Sequence, residues 1–273
     1  MKKISLLLFV LLTQFVFSQA NRFVYQVTMK TDSTDRGNIK TETAYLDVTQ
    51  GSSVFYSEKR VQRDSIFSRM RQTGTMNFDR NMMENLRSYM DYTIDKNSIK
   101  GTTTFTSRVG RDQYSYEEDR PLDWKILPET ATIGEYKAQK AETSFGGRKW
   151  AAWFTTDLPF QDGPYKFAGL PGLIIKAEDA KGDYSFDLKE TKKIAALPEL
   201  PQRGNIIKVK RKDYEKQEKA FRKDPASFMQ AAMSAGRGGI SAPQFRVNDA
   251  DRRKQMEQRM KEEAKKNNNP IEL

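Results

Sequence analysis

Hydrophobic and polar residues alternate along much of this chain, and a period of two is typical of half-buried β-strands. Between Arg22 and Lys30 every second residue is a large apolar one. The alternation resumes over Thr41–Thr49 and again over Val54–Arg60, and polar turn residues separate the three stretches. This spacing predicts an antiparallel meander near the start of the chain.

Two β-hairpins are the clearest local predictions. Gly146-Gly147 separates the alternating stretches Tyr136–Phe145 and Arg148–Thr156, and glycine supplies the positive φ that two-residue hairpin turns require. A second hairpin is predicted to pair Leu173–Glu178 with Tyr184–Lys189. Shorter stretches predict further strands at Met90–Asp95, Ile99–Ser107 and Gln113–Glu118.

Helical spacing is rarer. Met82, Leu86 and Tyr89 predict one face of a short helix over Asn81–Tyr89. Asp123–Pro128 is predicted to be an apolar plug that its proline ends. Later helices are predicted over Asp213–Arg222, from Asp224 onward and from Asn248 onward. Because the last of these has only a thin apolar stripe, we expect it to project from the body, to fray or to await a partner.

These elements predict an α+β fold that is mostly β. We expect a curved antiparallel sheet of roughly seven to ten strands, one short crossing helix, and a basic helical C-terminal extension. Two prolines, Pro198 and Pro201, mark the exit from the sheet. The predicted division is a β-rich domain over residues 19–200 and the extension over residues 201–273.

The first 18 residues have the pattern of a secretory signal peptide. Lys2-Lys3 is followed by the apolar stretch Ile4–Val16, and Ser18 supplies the small residue expected at a cleavage site. The apolar stretch is shorter than the roughly 20 residues of a membrane span. We therefore expect the protein to be exported.

The stretch Trp150–Ile175 concentrates tryptophan, proline and glycine. Within it, Leu170-Pro171-Gly172 predicts a tight turn of type II, which places proline and glycine at its central positions. Large apolar residues flank the turn, so we expect it to pack inward and to close the core as a structural motif. The motif consists of Gly169, Leu170, Pro171, Gly172, Leu173 and Ile174.

This Gly-Leu-Pro-Gly-Leu-Ile sequence follows Trp153-Phe154-Thr155 and Asp162–Phe167, and it resembles the signature of the GLPGLI family of exported Bacteroidetes proteins. The similarity extends to the closing residues Asn269–Leu273. The resemblance implies a periplasmic or outer-membrane-peripheral protein. Since the family has no established activity, the resemblance implies no catalytic residue.

The sequence contains neither cysteine nor histidine. Disulfides and lipid attachment to a cysteine are therefore excluded, and so are Ser-His-Asp and Cys-His catalysis and the usual zinc sites. We expect no cofactor. The remaining candidates are carboxylate chemistry, an oxygen-ligand calcium site, or no reaction at all.

Positive charge is concentrated near the C-terminus. The chain has 47 basic and 36 acidic residues, and 17 of the basic and 9 of the acidic residues lie between Asn205 and Asn269. A basic extension could contact an anionic membrane surface or an acidic partner protein, or it could be a solvated helix. Gly236–Gly239 resembles an RGG element, but we interpret it as a helix break and expect no nucleic-acid partner.

Acidic residues offer two candidate sites. Asp157 and Asp162 lie near tryptophans and could act as the acid and base of a glycoside hydrolase, although both also fit turn positions. Asp179, Asp183 and Asp187 could bind calcium, although their spacing differs from that of an EF-hand and fits a charged hairpin turn. We favour the turn interpretation in both cases.

A set of aromatic residues is the remaining candidate, either as core or as a contact surface for a ligand or partner. It comprises Trp150, Trp153, Phe154, Tyr165 and Phe167. The sequence thus predicts a non-catalytic envelope protein that binds a protein partner, such as an outer-membrane protein, or an apolar ligand in the concavity of the sheet. The alternative is a carboxylate-dependent envelope hydrolase.

Overall fold

The computed structural model describes residues 20–74, 82, 85–110, 112–198, 200, 205–225, 228 and 250–273. The predicted signal peptide, residues 81, 83 and 84, and Gly236–Gly239 lie outside the described residues. In the helix predicted at Asn81–Tyr89, Leu86 N donates to Met82 O at 3.1 Å, but the chain is not helical from Leu86 to Tyr89, so the predicted C-terminal half is wrong.

A single sheet of twelve strands dominates the described residues. The strands are β1 (Ala20–Met29), β2 (Lys40–Val48), β3 (Ser52–Ser57), β4 (Tyr92–Asn97), β5 (Thr102–Val109), β6 (Asp112–Glu117), β7 (Lys125–Ile133), β8 (Tyr136–Phe145), β9 (Arg148–Thr155), β10 (Leu173–Asp179), β11 (Tyr184–Ile194) and β12 (Ile206–Lys208). Their order is β12-β6-β5-β4-β3-β2-β1-β11-β10-β9-β8-β7. Neighbours are antiparallel except β12, which runs parallel to β6. The predicted mostly β fold is confirmed, and the sheet exceeds the predicted seven to ten strands.

Three helices accompany the sheet among the described residues: α1 (Glu58–Thr73), α2 (Arg211–Lys223) and α3 (Ala250–Lys266). The strand predicted over Val54–Arg60 ends at Ser57, whose Oγ accepts a hydrogen bond from Arg60 N at 3.2 Å and caps α1. Our prediction missed α1 because its apolar residues do not form a clear stripe. The serine cap and Gly74 at the helix end were the available signals.

The prediction of an apolar plug at Asp123–Pro128 is wrong. Lys125 begins β7, and the strand continues through Pro128 to Ile133. Proline removes one ladder hydrogen bond, and the register with β8 shifts between Ile126 and Thr130. An edge strand tolerates this loss because one side of its backbone is unpaired.

One face of the sheet is deeply concave. The Lys166 ammonium lies 4.8 Å from the ring centre of Phe105 on β5 and 5.8 Å from that of Phe145 on β8. These strands are eight positions apart in the sheet, which would be about 38 Å if the sheet were flat. The sheet must therefore curl so that its two halves face each other.

Pairing register arranges the concave face in rows across β1 to β6. The central row is apolar and buried: Phe23, Leu46, Phe55, Ile94, Phe105 and Tyr116. A second, more polar row lies two residues away from the central row on each of β1 to β5. It consists of Asn21, Val48, Ser53, Lys96 and Thr103. The connection between β9 and β10, residues 156–172, covers the central row, where the ring of Phe160 lies 5.1 Å from that of Phe23.

Candidate functional site

The Gly169–Ile174 motif ends the β9–β10 connection with its aliphatic side chains in the core. Leu170 is 1% exposed, and Leu173 and Ile174 are fully buried. The predicted type II turn is wrong: Gly172 N donates to Leu170 O at 2.8 Å, which closes a tighter three-residue γ-turn around Pro171. Of the six residues of the motif, only Gly169 and Pro171 are exposed.

Position 172 requires glycine because the backbone of β9 passes very close to it. A Cβ placed there would lie 2.1 Å from Thr155 O, and φ at Gly172 is +152°. Leu173 N donates to Leu158 O and Ile174 N donates to Asp162 O, so the motif also fixes the start of the connection. The connection is therefore tied to the sheet at both ends.

Lys166 joins this connection to the C-terminal segment, which we define as Asn267–Leu273. Its side chain is 1% exposed, and Nζ donates to Glu118 and to Glu272 at 2.7 and 2.6 Å. Burial alone would raise the pKa of Glu118, but the hydrogen bonds from Arg120 and the charge of Lys166 lower it to about 2. Buried charges paired in this way cost a large free energy when one partner is lost.

A second buried cation holds the same segment. Arg148 pairs with Asp179 at 2.8 Å and Asp183 at 3.2 Å, and it donates to Ile271 O, Pro270 O and Asn269 Oδ1. The hairpin turn Gly146-Gly147 has the predicted positive φ angles, 60° and 79°. A Cβ at either glycine would collide with Glu272 or Leu273. The tip of this hairpin thus receives the end of the chain.

The last helix, α3, is exposed at most of its described side chains, as its thin apolar stripe predicts, but it also forms part of the wall of a cavity. Met260 and Ala264 of α3 line a cavity of about 610 Å³, together with residues of α2, the C-terminal segment and the concave face. We call this space the aromatic cavity. Its apolar lining from the sheet includes Val27, Met29, Tyr92, Phe105, Val109, Tyr184 and Phe186, and its opposite wall includes Tyr214, Phe221, Met260, Pro270 and Ile271.

Three ion pairs accompany the aromatic lining of this cavity. They are Arg87–Glu263 at 3.1 Å, Arg108–Asp91 at 3.0 Å and Arg222–Glu218 at 2.7 Å. Tyr165, the one non-glycine residue with positive φ among those described, also lines the cavity. Its φ of 55° directs the chain so that its hydroxyl donates to Glu272. Burial, and then the charge of Glu272, raises the pKa of Tyr165, so the hydroxyl stays a donor.

A second cavity, of about 670 Å³, is lined by the whole polar row and by residues 159–162 of the β9–β10 connection. We call it the polar cavity. Lys96 is buried there, and its Nζ donates to Asp162 at 2.5 Å, Gly163 O at 2.6 Å and Phe167 O at 2.9 Å. The connection therefore separates the two cavities along the concave face.

The structure divides the predicted aromatic set. Trp150, Phe154 and Phe167 are buried in the core, where the rings of Trp150 and Phe167 lie 4.9 Å apart. Trp153 is half-buried on the opposite face of β9, as its offset from Trp150 predicts. Tyr165 lines the aromatic cavity, and the described linings of both cavities include none of the other four.

Most of the acidic candidate residues form ion pairs or hydrogen bonds within the fold. Asp162 pairs with Lys96, and Asp157 lies in an exposed turn with its N–H donated to Thr155 Oγ1. Asp179 and Asp183 pair with Arg148, while Asp187 accepts from Ser185. Asp179 also accepts from the N–H groups of Asp183 and Tyr184, which is the predicted role of a charged hairpin turn.

Sequence reasoning missed the residues that assemble the aromatic cavity, chiefly Arg148, Lys166 and Glu272. Lys166 stands between two aromatic residues within an apolar stretch, and Arg148 follows a glycine pair. A basic residue in such surroundings must find a carboxylate if it is buried. That signal was present, although it did not identify Glu272 as the partner.

Comparisons with known proteins relate the chain to a family and a fold. Residues 142–176 match a family described as "Protein of unknown function (Porph_ging)". No curated protein matches. Two structures of PNGF-II, in space groups P21 and C2, each show 17% identity over 73% of this chain with a TM-score of 0.52. The chain spans about a third of those chains, 33% and 32%. This likeness concerns the fold.

The matched region, residues 142–176, runs from β8 through the Gly169–Ile174 motif into β10. It therefore contains Arg148, Tyr165 and Lys166, which contact the C-terminal segment. Within the described residues, no helix is long and apolar enough to span a membrane.

Proposed function

We propose that this chain is an exported, non-catalytic envelope protein of the GLPGLI family that holds an apolar small molecule in the aromatic cavity. The aromatic cavity is the observation that carries the proposal. Its volume of about 610 Å³ falls in the range of small-molecule sites, roughly 300–1,000 Å³. Aromatic and aliphatic side chains line it on both sides, and the charged lining residues pair with one another.

Pairing of the charges favours an apolar ligand over an ionic one. Each arginine of the lining, Arg87, Arg108 and Arg222, already has a carboxylate partner within 3.1 Å. An anionic ligand would have to displace one of these carboxylates. An apolar ligand instead gains about 25 cal/mol for each Å² of apolar surface that leaves water.

Export and a place at the envelope are part of the proposal. They are supported by the signal-peptide pattern of residues 1–18 and by the Gly169–Ile174 motif. Most described residues of α2 and α3 are basic or polar and exposed, which favours contact with an anionic membrane surface or an acidic envelope protein. Such a contact would place the aromatic cavity close to a source of apolar molecules.

The alternative, a carboxylate-dependent hydrolase, has little support. Asp162 is ion-paired with Lys96, and Asp157 lies outside the described linings of both cavities. Two carboxyl groups acting as acid and base must both face one substrate. We therefore place no catalytic residue.

The proposal is tested with the neutral fluorophore N-phenyl-1-naphthylamine and the mature chain. We expect saturable binding with enhanced fluorescence. Met260→Trp enlarges a half-buried side chain at the cavity wall and should weaken binding at least tenfold. Gln258→Trp adds the same group at an exposed position of α3 and should leave the affinity unchanged.

Native mass spectrometry of protein purified from envelopes supplies a second readout. We expect a bound apolar molecule that organic solvent extracts. Absence of fluorophore binding, or equal weakening by both tryptophan variants, would contradict the proposal.

A further inference from the structure

The polar cavity has a buried hydroxyl group in its wall that forms no hydrogen bond with the described residues. Ser53 is 4% exposed, and its Oγ has no hydrogen-bond partner among the described residues. A buried hydroxyl left without a hydrogen bond is unfavourable, and such groups are uncommon in native proteins. Ser53 lies in the middle of the polar row, between Val48 and Lys96, and lines the cavity.

The lining around Ser53 is neutral and rich in hydroxyl and amide groups. These groups belong to Asn21, Thr49, Gln50, Ser52, Asn97, Ser98, Thr102, Thr103 and Gln161. Each such side chain can both donate and accept hydrogen bonds. The half-buried ring of Phe160 adds one apolar surface at the same cavity. Groups that both donate and accept hydrogen bonds, beside an aromatic surface, match a ligand that carries several hydroxyl groups on a carbon ring.

Charge argues against an ionic ligand. Lys96 and Asp162 are the charged residues of this described lining, and they pair with each other at 2.5 Å. The three N–H groups of Lys96 are all used, by Asp162 and by the carbonyls of Gly163 and Phe167. No donor of Lys96 is left for an anion, and a single carboxylate is too few for a divalent cation.

Backbone pairing argues against a peptide. The strands that supply the polar row, β1 to β5, are each paired on both sides in the sheet. A peptide therefore finds no free strand edge at this cavity, and recognition must come from side chains.

We infer that the polar cavity binds a neutral polyhydroxylated molecule, a monosaccharide or disaccharide, with Ser53 and Thr103 contributing hydrogen bonds from the sheet. This site is separate from the aromatic cavity and does not depend on the function proposed for it. Its volume, about 670 Å³, also falls in the usual range of small-molecule sites.

The test titrates the mature chain with glucose, galactose, N-acetylglucosamine, maltose and lactose, using saturation-transfer NMR and then calorimetry. We expect at least one of these sugars to bind. Ser53→Ala should weaken that sugar's binding roughly threefold to tenfold, the usual effect of one hydrogen bond. Thr103→Val, which keeps the side-chain volume, should do the same. Ser185→Ala is the matched control, because Ser185 bonds Asp187 away from both cavities.

A ligand-binding role and a structural role for Ser53 predict different effects on the stability of the protein. Because its hydroxyl has no partner, Ser53→Ala should leave the apo protein as stable as the parent or more stable. Loss of stability with unchanged sugar affinity would overturn the inference. Binding of none of the five sugars, or binding of inorganic phosphate in their place, would also overturn it. Neither result would alter fluorophore binding in the aromatic cavity, so the two proposals fail separately.

Discussion

The two cavities lie on one concave face and share the β9–β10 connection, yet they are assembled differently. The polar cavity is built from the ends of β1 to β5 and from residues 159–162 and 168. The aromatic cavity needs α2, α3 and the C-terminal segment as its second wall. One site is therefore complete within the sheet and its connection, while the other depends on the end of the chain returning to the body.

The two cavities also differ in the number and position of their ion pairs. The polar cavity has one buried pair, Lys96–Asp162, inside a neutral lining. The aromatic cavity has three pairs in its own lining and is held closed by Lys166 and Arg148. Changes at these two cations should affect the aromatic cavity first. Changes in the shared connection should affect both cavities.

Gly172→Ala should have the largest effect and should damage both cavities. The new Cβ would lie 2.1 Å from Thr155 O, so the backbone of the motif or of β9 must move. We expect a loss of more than about 4 kcal/mol in the free energy of unfolding, measured by urea denaturation.

Gly169→Ala is the matched control for that change. Its φ is also positive, +90°, but a Cβ there meets no described atom within 4 Å. Backbone strain alone should cost about 1–2 kcal/mol. Similar losses for the two variants would refute the requirement for close approach at Gly172.

Period-two alternation was sufficient to predict most of the sheet. β1, β2, the β8–β9 hairpin and the β10–β11 hairpin agree with the predicted stretches because each has one buried face. β7 and β12 were missed for a physical reason. β7 contains Pro128 and is exposed on both faces, and β12 has only three residues, so neither shows alternation.

The cavities themselves could not be predicted, because pairing register and long-range contacts create them. Ser53 and Lys96 become neighbours only through the β3–β4 register. Glu272 reaches Lys166 across 106 positions of sequence. Tyr165 was predicted as a contact residue on its aromatic character, whereas its position in the aromatic cavity depends on that same distant contact with Glu272.

Lys166→Met should have the next largest effect and should distinguish the cavities. It removes the ammonium partner of the buried carboxylate of Glu118 and of the partly buried carboxylate of Glu272. Breaking a buried pair from one side costs about 3–5 kcal/mol. We expect this loss in urea denaturation, together with loss of fluorophore binding in the aromatic cavity.

Lys176→Met is the control, because Lys176 pairs with the exposed Glu178 at 3.1 Å. Exposed pairs contribute about 0–1 kcal/mol. The comparison would be refuted if Lys166→Met abolished sugar binding in a folded protein while fluorophore binding persisted.

Acid should release the C-terminal segment before the sheet unfolds. Burial alone would raise the pKa of Glu272, but the charge of Lys166 and the hydrogen bonds from Lys166 and Tyr165 lower it, and the pKa of Glu118 is lowered from 4.5 to about 2. The folded state therefore binds fewer protons than the unfolded chain. This contribution is complete above about pH 4.5 and is lost as pH falls towards 2.

Fluorescent labels can test the acid effect because the chain has no cysteine. Leu273→Cys and Ile99→Cys introduce labelling sites at positions that are 66% and 84% exposed. We expect the anisotropy of the label at 273 to fall between pH 4.5 and 2 while tryptophan fluorescence and the label at 99 are unchanged. Simultaneous changes at both labels would show that the segment has no separate acid-sensitive contact.

Tyr165→Phe should have the smallest effect, and it isolates one contact of the aromatic cavity. The variant keeps the ring but removes the hydroxyl that donates to Glu272. Lys166 and Arg120 still hold this carboxylate, so the loss should be about 1–2 kcal/mol in urea denaturation.

Tyr45→Phe is the matched control, since the Tyr45 hydroxyl donates to Glu58 outside the aromatic cavity. It should cost less than about 1 kcal/mol, because both groups are partly exposed. Only Tyr165→Phe should also weaken fluorophore binding, by roughly threefold, because the missing hydrogen bond loosens the segment that supplies Pro270 and Ile271 to the cavity wall. If sugar binding fell as well, the two cavities would be coupled through the β9–β10 connection, and their independence would have to be abandoned.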